Sequence, residues 1–163
     1  MLRKWSMIGI SIGVAFMMAA CTNEASPTER TADQPADAVS AQKWEQSPLF
    51  ISGSYTMIGE EGRLGFIYDD SEVLRFYPDK QQKYMWHFWG ESEELKGNLK
   101  VVGTHAETDE QITVIEGIDI SGALNGADAH TPSLMSLPKS GMWKLDAFIG
   151  DRLFGSVFVE VHE

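Results

Sequence analysis

The segment Asn125–His130 carries the side chains of this sequence that are best suited to ligand chemistry. Asp128 and His130 are separated by a single residue, so one loop offers a carboxylate and an imidazole to a metal ion or another small ligand. His87, far earlier in the chain, is the third side chain available to such a site. The alternative is structural, with Asp128 accepting hydrogen bonds from turn amides and His130 packing at the edge of the turn. We favour the structural role, and we therefore predict no metal ion and no cofactor.

Catalysis is a weaker hypothesis for the same segment. Hydrolysis requires a nucleophile, a base and an orienting group within hydrogen-bonding distance of one another. Asp128, His130 and Ser133 lie close in sequence, but neither a nucleophile elbow nor an oxyanion-hole motif accompanies them. Serine and aspartate are also common loop residues for conformational reasons. The sequence therefore predicts a protein that is not an enzyme.

The run Tyr84–Trp89 (YMWHFW) is predicted to be a strand with two different faces. In a two-sheet sandwich only one face of a strand meets the core. The face that carries His87 and Trp89 is then either covered by a loop or exposed as an apolar patch, which often marks a partner site. We expect residues 122–136 to cover it. The candidate ligand or partner surface comprises His87, Trp89, Asn125, Asp128 and His130.

The segment Pro138–Val161 is predicted to be the closing β-hairpin on which earlier strands pack. Trp143 and the alternate residues that follow it are apolar, with polar residues between them, as in a strand with one buried face. A simple two-residue loop would place the apolar residues of the two arms on opposite faces, so we expect an odd-length loop or a bulge. Gly150 is expected to adopt a positive φ, and Gly155 to lie under a bulky neighbour such as Trp143.

Other strand-like segments recur at short intervals between turn residues, and no long helical pattern interrupts them. They cover residues 55–58, 64–68, 84–89, 95–101 and 112–115. Such spacing predicts an all-β, antiparallel β-sandwich. Residues 122–136 are expected to form a long crossover connection with at most one helical turn, which a Greek key requires.

The N-terminus predicts export and lipid attachment. Residues 1–20 contain Arg3, Lys4 and an apolar run, the pattern of a signal peptide. The sequence Met18-Ala19-Ala20-Cys21 resembles the lipobox of bacterial lipoproteins, in which the cysteine becomes the first mature residue and carries a diacylglycerol. We therefore predict a signal peptide (1–20), a lipidated cysteine with a flexible tether (21–47) and a folded domain (48–163).

Charge excludes one class of partner. The formal net charge is −11, and loss of residues 1–20, which contain two basic residues and no acidic one, makes it −13. Such a surface repels nucleic acid and anionic lipid headgroups. Nucleic-acid binding is thus excluded, and the membrane partner is expected to be engaged through the lipid at Cys21.

Several longer strings of the domain resemble a known family. In chain order they are YMWHFWG (84–90), NGADAH (125–130), SGMWKLD (140–146) and LFGSV (153–157). Together they are similar to small, uncharacterised lipoproteins of Bacillus-type Gram-positive bacteria, over residues 48–162. The resemblance implies an immunoglobulin-like sandwich outside the cell, and it implies no activity.

These observations predict a lipid-anchored surface protein on the outer face of the cytoplasmic membrane, of unknown biochemical activity. Its domain is expected to bind a protein or an envelope component. The alternative is a small-ligand or metal carrier that uses the loop with Asp128 and His130.

Overall fold

The computed structural model describes residues 43–163, and the signal peptide, Cys21 and most of the predicted tether lie outside them. The described part contains nine strands and no helix. The strands are β1 (Leu49–Ser52), β2 (Tyr55–Glu60), β3 (Leu64–Ile67), β4 (Gln82–Phe88), β5 (Asn98–His105), β6 (Gln111–Asp119), β7 (Ala129–Met135), β8 (Gly141–Ile149) and β9 (Arg152–Val161). Within this part, no helix is long and apolar enough to cross a membrane.

The strands form two antiparallel sheets that pack face to face. Sheet A has the order β1-β2-β3-β4-β7, and sheet B has the order β6-β5-β8-β9. The chain crosses from sheet A to sheet B after β4, returns to sheet A for β7, and then places β8 beside β5. The predicted antiparallel sandwich with Greek-key connections is therefore confirmed.

The core lies between the sheets because each strand directs alternate side chains inward. Trp143 of β8 and Trp86 of β4 are both fully buried there. The indole nitrogen of Trp143 donates a hydrogen bond to the carbonyl of Lys139 at 3.0 Å, so this buried donor is satisfied. Other inward residues with no exposed surface include Phe66, Phe88, Leu145, Ala147, Val157 and Val159.

The β8–β9 hairpin contains both a short loop and a bulge. Gly150, with φ 61°, and Asp151 form a two-residue loop between Ile149 and Arg152. Beyond it the pairing shifts by one residue, because Phe154 is an extra residue in β9. This bulge restores the inward direction of the apolar side chains, which is the role that the sequence assigns to it.

The bulge also decides which residues are buried near the turn. Phe154 is buried, whereas Leu153 beside it is 55% exposed. The neighbour expected for Gly155 is wrong. A Cβ at Gly155 would lie 2.5 Å from the side chain of Leu64 on β3, so the close approach is made across the sandwich and not by Trp143.

Two of the nine strands, β1 and β7, are absent from the sequence expectations. Residues 129–135 belong to β7, although residues 122–136 were expected to be a connection, and β1 was not expected. β7 escapes recognition because it contains Pro132 and small polar residues. It is one of the two edge strands of sheet A, and at an edge a residue without an N–H is tolerated.

The segment before β1 contacts sheet B. The ring of Trp44 packs edge-on against Phe158 of β9, with centroids 5.9 Å apart. Ser47 donates its backbone N–H to the carbonyl of Phe158 at 3.0 Å, and its hydroxyl accepts the N–H of Phe158 at 2.9 Å. Phe158 lies between the buried residues Val157 and Val159, so it projects from the outer face of sheet B.

Candidate functional site

The candidate residues gather on the outer face of sheet A. His87 lies between two inward residues of β4, so its side chain points away from the core. It is paired with His130 on β7 and with Gly65 on β3. The rings of His87 and His130 have centroids 6.5 Å apart. His87 is nevertheless fully buried, so something outside the sheet covers it.

The cover is the connection between β6 and β7, residues 120–128, which we call the cover loop. Ser121 exchanges two backbone hydrogen bonds with His130, at 2.8 and 3.0 Å. Leu124 and Ala127 exchange two more, at 3.1 and 2.9 Å, and enclose a tight turn. The central residues of that turn have positive φ angles, 53° at Asn125 and 83° at Gly126. This is the conformation of a type I′ turn, for which Asn-Gly is a favoured sequence.

Side chains and backbone atoms of the sheet hold the cover loop in place. Ser52 of β1 donates its hydroxyl hydrogen to the carbonyl of Asn125 at 2.9 Å. The indole nitrogen of Trp89 donates to the carbonyl of Gly126 at 2.7 Å. The cover loop is therefore attached at two separated points of sheet A.

The side chains of Asp128 and His130 fix the two ends of the cover loop through hydrogen bonds. The backbone N–H of Gly90 donates to Oδ2 of Asp128 at 3.0 Å. Nδ1 of His130 lies 2.6 Å from the carbonyl of Gly122, so this nitrogen carries the proton and donates it. Both side chains thus bond to backbone groups, although the amide that Asp128 accepts from belongs to Gly90 beyond β4 and not to its own turn.

His87 is held as a neutral imidazole. Its Nδ1 donates to the carbonyl of Met85 at 3.1 Å, and its Nε2 accepts the side-chain N–H of Asn125, also at 3.1 Å. Burial lowers the pKa of His87 because it disfavours the charged form, and nearby His130 lowers it further, although the hydrogen bond to Met85 acts in the opposite direction. Protonation of Nε2 would remove the acceptor that Asn125 uses.

These bonds leave little scope for metal binding at the predicted position. Both ring nitrogens of His87, Nδ1 of His130 and Oδ2 of Asp128 already have partners. Between residues 43 and 163, no group of three or more His, Cys, Asp or Glu side chains is placed to hold a metal ion.

Sequence reasoning missed the part of this site that lies on β1 and β3. The ring of Phe50 packs against Trp89 with centroids 5.9 Å apart. It also lies over Gly65, where an added Cβ would be 2.9 Å from the edge of the Phe50 ring. A glycine inside the apolar segment 64–68 was the available signal, because such a glycine often marks a close approach.

A polar cleft of about 700 Å³ adjoins the cover loop at Trp89. Its only basic side chain, Arg63, pairs with Glu94 at 3.0 Å and lies 3.6 Å from the centre of the Phe154 ring. The hydrogen bond from Arg63 lowers the pKa of Glu94, which therefore stays charged. The cleft thus combines a half-buried tryptophan with carboxylates. It is lined by Gly62, Arg63, Trp89, Gly90, Glu91, Ser92, Glu94, Leu95 and Asp128.

The fold and this site define a small antiparallel β-sandwich domain with a covered outer face. The chain belongs to a family described as a domain of unknown function (DUF4871), whose model matches residues 36–159. It is similar to a solved structure, "X-ray Crystal Structure of a Putative Lipoprotein from Bacillus anthracis", with 20% identity and a TM-score of 0.57. The match covers 74% of this chain and 87% of that chain, and at this identity it shows a shared fold alone. No curated protein matches the chain.

Proposed function

We propose that this protein is a lipid-anchored binding module on the outer face of the cytoplasmic membrane. Its domain, an immunoglobulin-like variety of sandwich, binds a protein or an envelope component through the polar cleft beside Trp89. The anchor is the diacylglycerol on Cys21, and the proposal includes cleavage after residue 20. The lipoprotein name of the Bacillus anthracis structure supports the anchor by analogy.

The observation that carries the binding role is the cleft itself. Trp89 is fixed on one side by its hydrogen bond to Gly126 and by its contact with Phe50. Its position is therefore set before a ligand arrives, and a rigid aromatic side chain loses little entropy on binding. Glu91 and Asp128 give the cleft a negative charge that suits a ligand with a cationic or hydrogen-bond-donating group.

The described residues before β1 support the same proposal. Trp44 and Ser47 contact Phe158 on sheet B, and neither of them lines the cleft beside Trp89. This segment therefore leaves the cleft open to a ligand.

Site-specific photocrosslinking in intact cells tests the binding role. A photoreactive residue at Ser92, which is exposed in the cleft, should crosslink to one discrete envelope component. The matched control is Glu160, which is exposed on the outer face of sheet B. Trp89→Ala should reduce the crosslink from Ser92 at least tenfold. Equal crosslinking from both positions, or none from Ser92, would contradict the proposal.

Metabolic labelling tests the anchor separately. Cys21→Ala should abolish incorporation of a labelled fatty acid and leave an unprocessed precursor, because the thioether to diacylglycerol needs the sulfur. Cys21 is the only cysteine of the chain, so no other thiol can replace it. Undiminished labelling of Cys21→Ala would exclude lipidation at this residue.

A further inference from the structure

The sandwich has four strand edges, and obstacles lie along three of them in the part of the chain that is described. β1 has only four residues, fewer than half the nine of β6. On β7, Pro132 has no N–H, and both backbone groups of His130 are paired with Ser121. On β9, both backbone groups of Phe158 are paired with Ser47. Short strands, prolines and covering segments are the usual protection of an exposed edge.

The fourth edge, that of β6, is more open. β6 runs from Gln111 to Asp119 and pairs only with β5 within its own sheet. Because His105 donates its N–H to the carbonyl of Glu110, the alternation of the antiparallel ladder directs the backbone groups of Gln111 and Thr113 away from β5. Among the described residues, no strand pairs with that side of the Gln111–Val114 stretch.

An apolar groove continues from this edge. It has a volume of about 520 Å³ and lies between the facing edges of β6 and β7. Leu134 on its far wall is 58% exposed. A strand added to β6 would direct alternate side chains into this groove, where they gain apolar contacts. The lining residues are Lys83, Val114, Ile115, Glu116, Ile118, Pro132, Ser133 and Leu134.

Charge indicates which occupant fits this edge. Between Val101 and Pro138 the sequence contains no lysine or arginine. The acidic residues of that stretch are Glu107, Asp109, Glu110, Glu116, Asp119 and Asp128. Lys139 and Lys100 from elsewhere pair with only two of them, Glu110 and Glu116. A second copy would bring like charges together, because the whole chain carries −11, whereas a basic segment would be attracted.

We propose that β6 binds an extended, basic segment of a partner protein, which adds to sheet B as a fifth strand. Its backbone pairs with the regular stretch Gln111–Val114. Its apolar side chains enter the groove beside Leu134, and its lysine or arginine side chains face the acidic residues around β6. This site is separate from the cleft beside Trp89 and does not depend on the function proposed there.

Two synthetic nine-residue peptides serve as probes, one alternating valine with lysine and one alternating valine with glutamate. In fluorescence anisotropy with the full-length protein, the lysine peptide should bind saturably and the glutamate peptide should not bind. The affinity should fall as salt is added, because the attraction is electrostatic. Binding should slow hydrogen exchange at the backbone amide of Thr113, which the added strand would engage.

Thr113→Pro and Thr113→Ala form the decisive pair. Both remove the same exposed side chain and leave the charge unchanged, but only proline removes the outward N–H. Thr113→Pro should weaken binding of the lysine peptide at least tenfold, whereas Thr113→Ala should bind like the parent protein. Equal binding by the two variants would overturn the proposal, because general attraction to an acidic surface would then explain it.

Two further measurements cover the remaining outcomes. If Thr113→Pro fails to fold, Asp119→Lys replaces it. The side chain of Asp119 is exposed, and reversing its charge should lower the affinity for the lysine peptide several-fold. Unchanged affinity in Asp119→Lys would overturn the proposal. Sedimentation should show no association of the parent protein through β6. If the parent protein forms a dimer and Thr113→Pro is monomeric, the proposal is overturned, because the occupant of the β6 edge is then a second copy of this chain.

Discussion

The outer faces of the two sheets follow the same alternation but end in different environments. On sheet B the outward residues Lys144 and Asp146 pair with each other at 3.0 Å, and the hydroxyl of Ser156 donates to Asp146. These polar groups satisfy one another at the surface of the sheet. On sheet A the outward residue His87 is fully buried under the cover loop. An alternating pattern therefore fixes which way a side chain points, and not whether it meets water.

The cover makes sheet A apolar on both sides. Met57 is fully buried and Phe50 nearly so, yet neither belongs to the core between the sheets. They pair with each other across β1 and β2 on the outer face, beside Gly65 and His87. Sheet A thus has a second, smaller hydrophobic cluster on its outer face. Among the residues described, the outer face of sheet B has no comparable cluster.

The largest effects should occur on the inner faces, where the two sheets are alike. Trp86→Ala on sheet A and Trp143→Ala on sheet B should each cost about 3–5 kcal/mol of unfolding free energy, because both indoles are fully buried. Trp143 should be the costlier loss. Its N–H donates to Lys139, whereas that of Trp86 has no hydrogen-bond partner in the described structure. Urea unfolding followed by circular dichroism measures both.

Lys144→Ala is the control for the inner-face prediction. It is adjacent to Trp143 but points outward, and its ion pair with Asp146 is partly exposed, so its loss should cost at most about 1 kcal/mol. Equal losses at Trp143 and Lys144 would mean that the inward face of β8 is assigned incorrectly.

An intermediate effect should distinguish the covered face. Gly65→Ala would place a Cβ 2.7 Å from the carbonyl oxygen of Ile58 and 2.9 Å from the ring of Phe50. Relief requires both the backbone of β2 at Ile58 and the ring of Phe50 to move, so the cost should be about 1–3 kcal/mol. Gly122→Ala is the matched control, because no atom lies within 4 Å of the new Cβ. Thermal unfolding should place Gly122→Ala near the parent protein, and an equal loss in both variants would argue against tight packing over Gly65.

The inner faces could be predicted from the sequence because burial repeats with a period of two. That period places Trp143, Leu145 and Trp86 inside, and it requires the bulge of β9. β7 could not be found in this way. Its Pro132 is unfavourable in most strands, and it is tolerated only because β7 is an edge, which depends on the strand order of the whole sheet.

The candidate residues could also be found, but their roles could not. The aromatic strand and the Asn125–His130 segment indicated that an outward face needs a cover, and the structure brings these residues together. The Asn-Gly pair of that segment signalled a hairpin turn and was missed. For the contribution of Phe50 the sequence offers only the glycine at position 65 as a signal, because the contact depends on the pairing of β1 with β2 and on the close approach over Gly65.

The smallest effect should be the pH dependence of the covered face. Because burial lowers the pKa of His87, the folded chain binds fewer protons than the unfolded chain just below the ordinary histidine value of 6.5. The contribution of neutral His87 to stability is then fully present above that pH. It is lost as the pH falls from 6.5 towards the folded pKa. Stability should therefore decline with acidification over this range, and the decline should be smaller in His87→Gln.

Nuclear magnetic resonance separates this mechanism from general acid destabilisation. The ring protons of His87 should titrate with a midpoint below 6.5, and the side-chain amide of Asn125 should shift with the same midpoint, because protonation of Nε2 removes its acceptor. Hydrogen exchange at Asn125 should accelerate in parallel as the cover loop loosens, while exchange on β8 of sheet B stays slow. A midpoint at or above 6.5 would contradict the assignment. An equal pH dependence of stability in His87→Gln and in the parent protein would also contradict it. The covered face of sheet A would then differ from sheet B in packing alone.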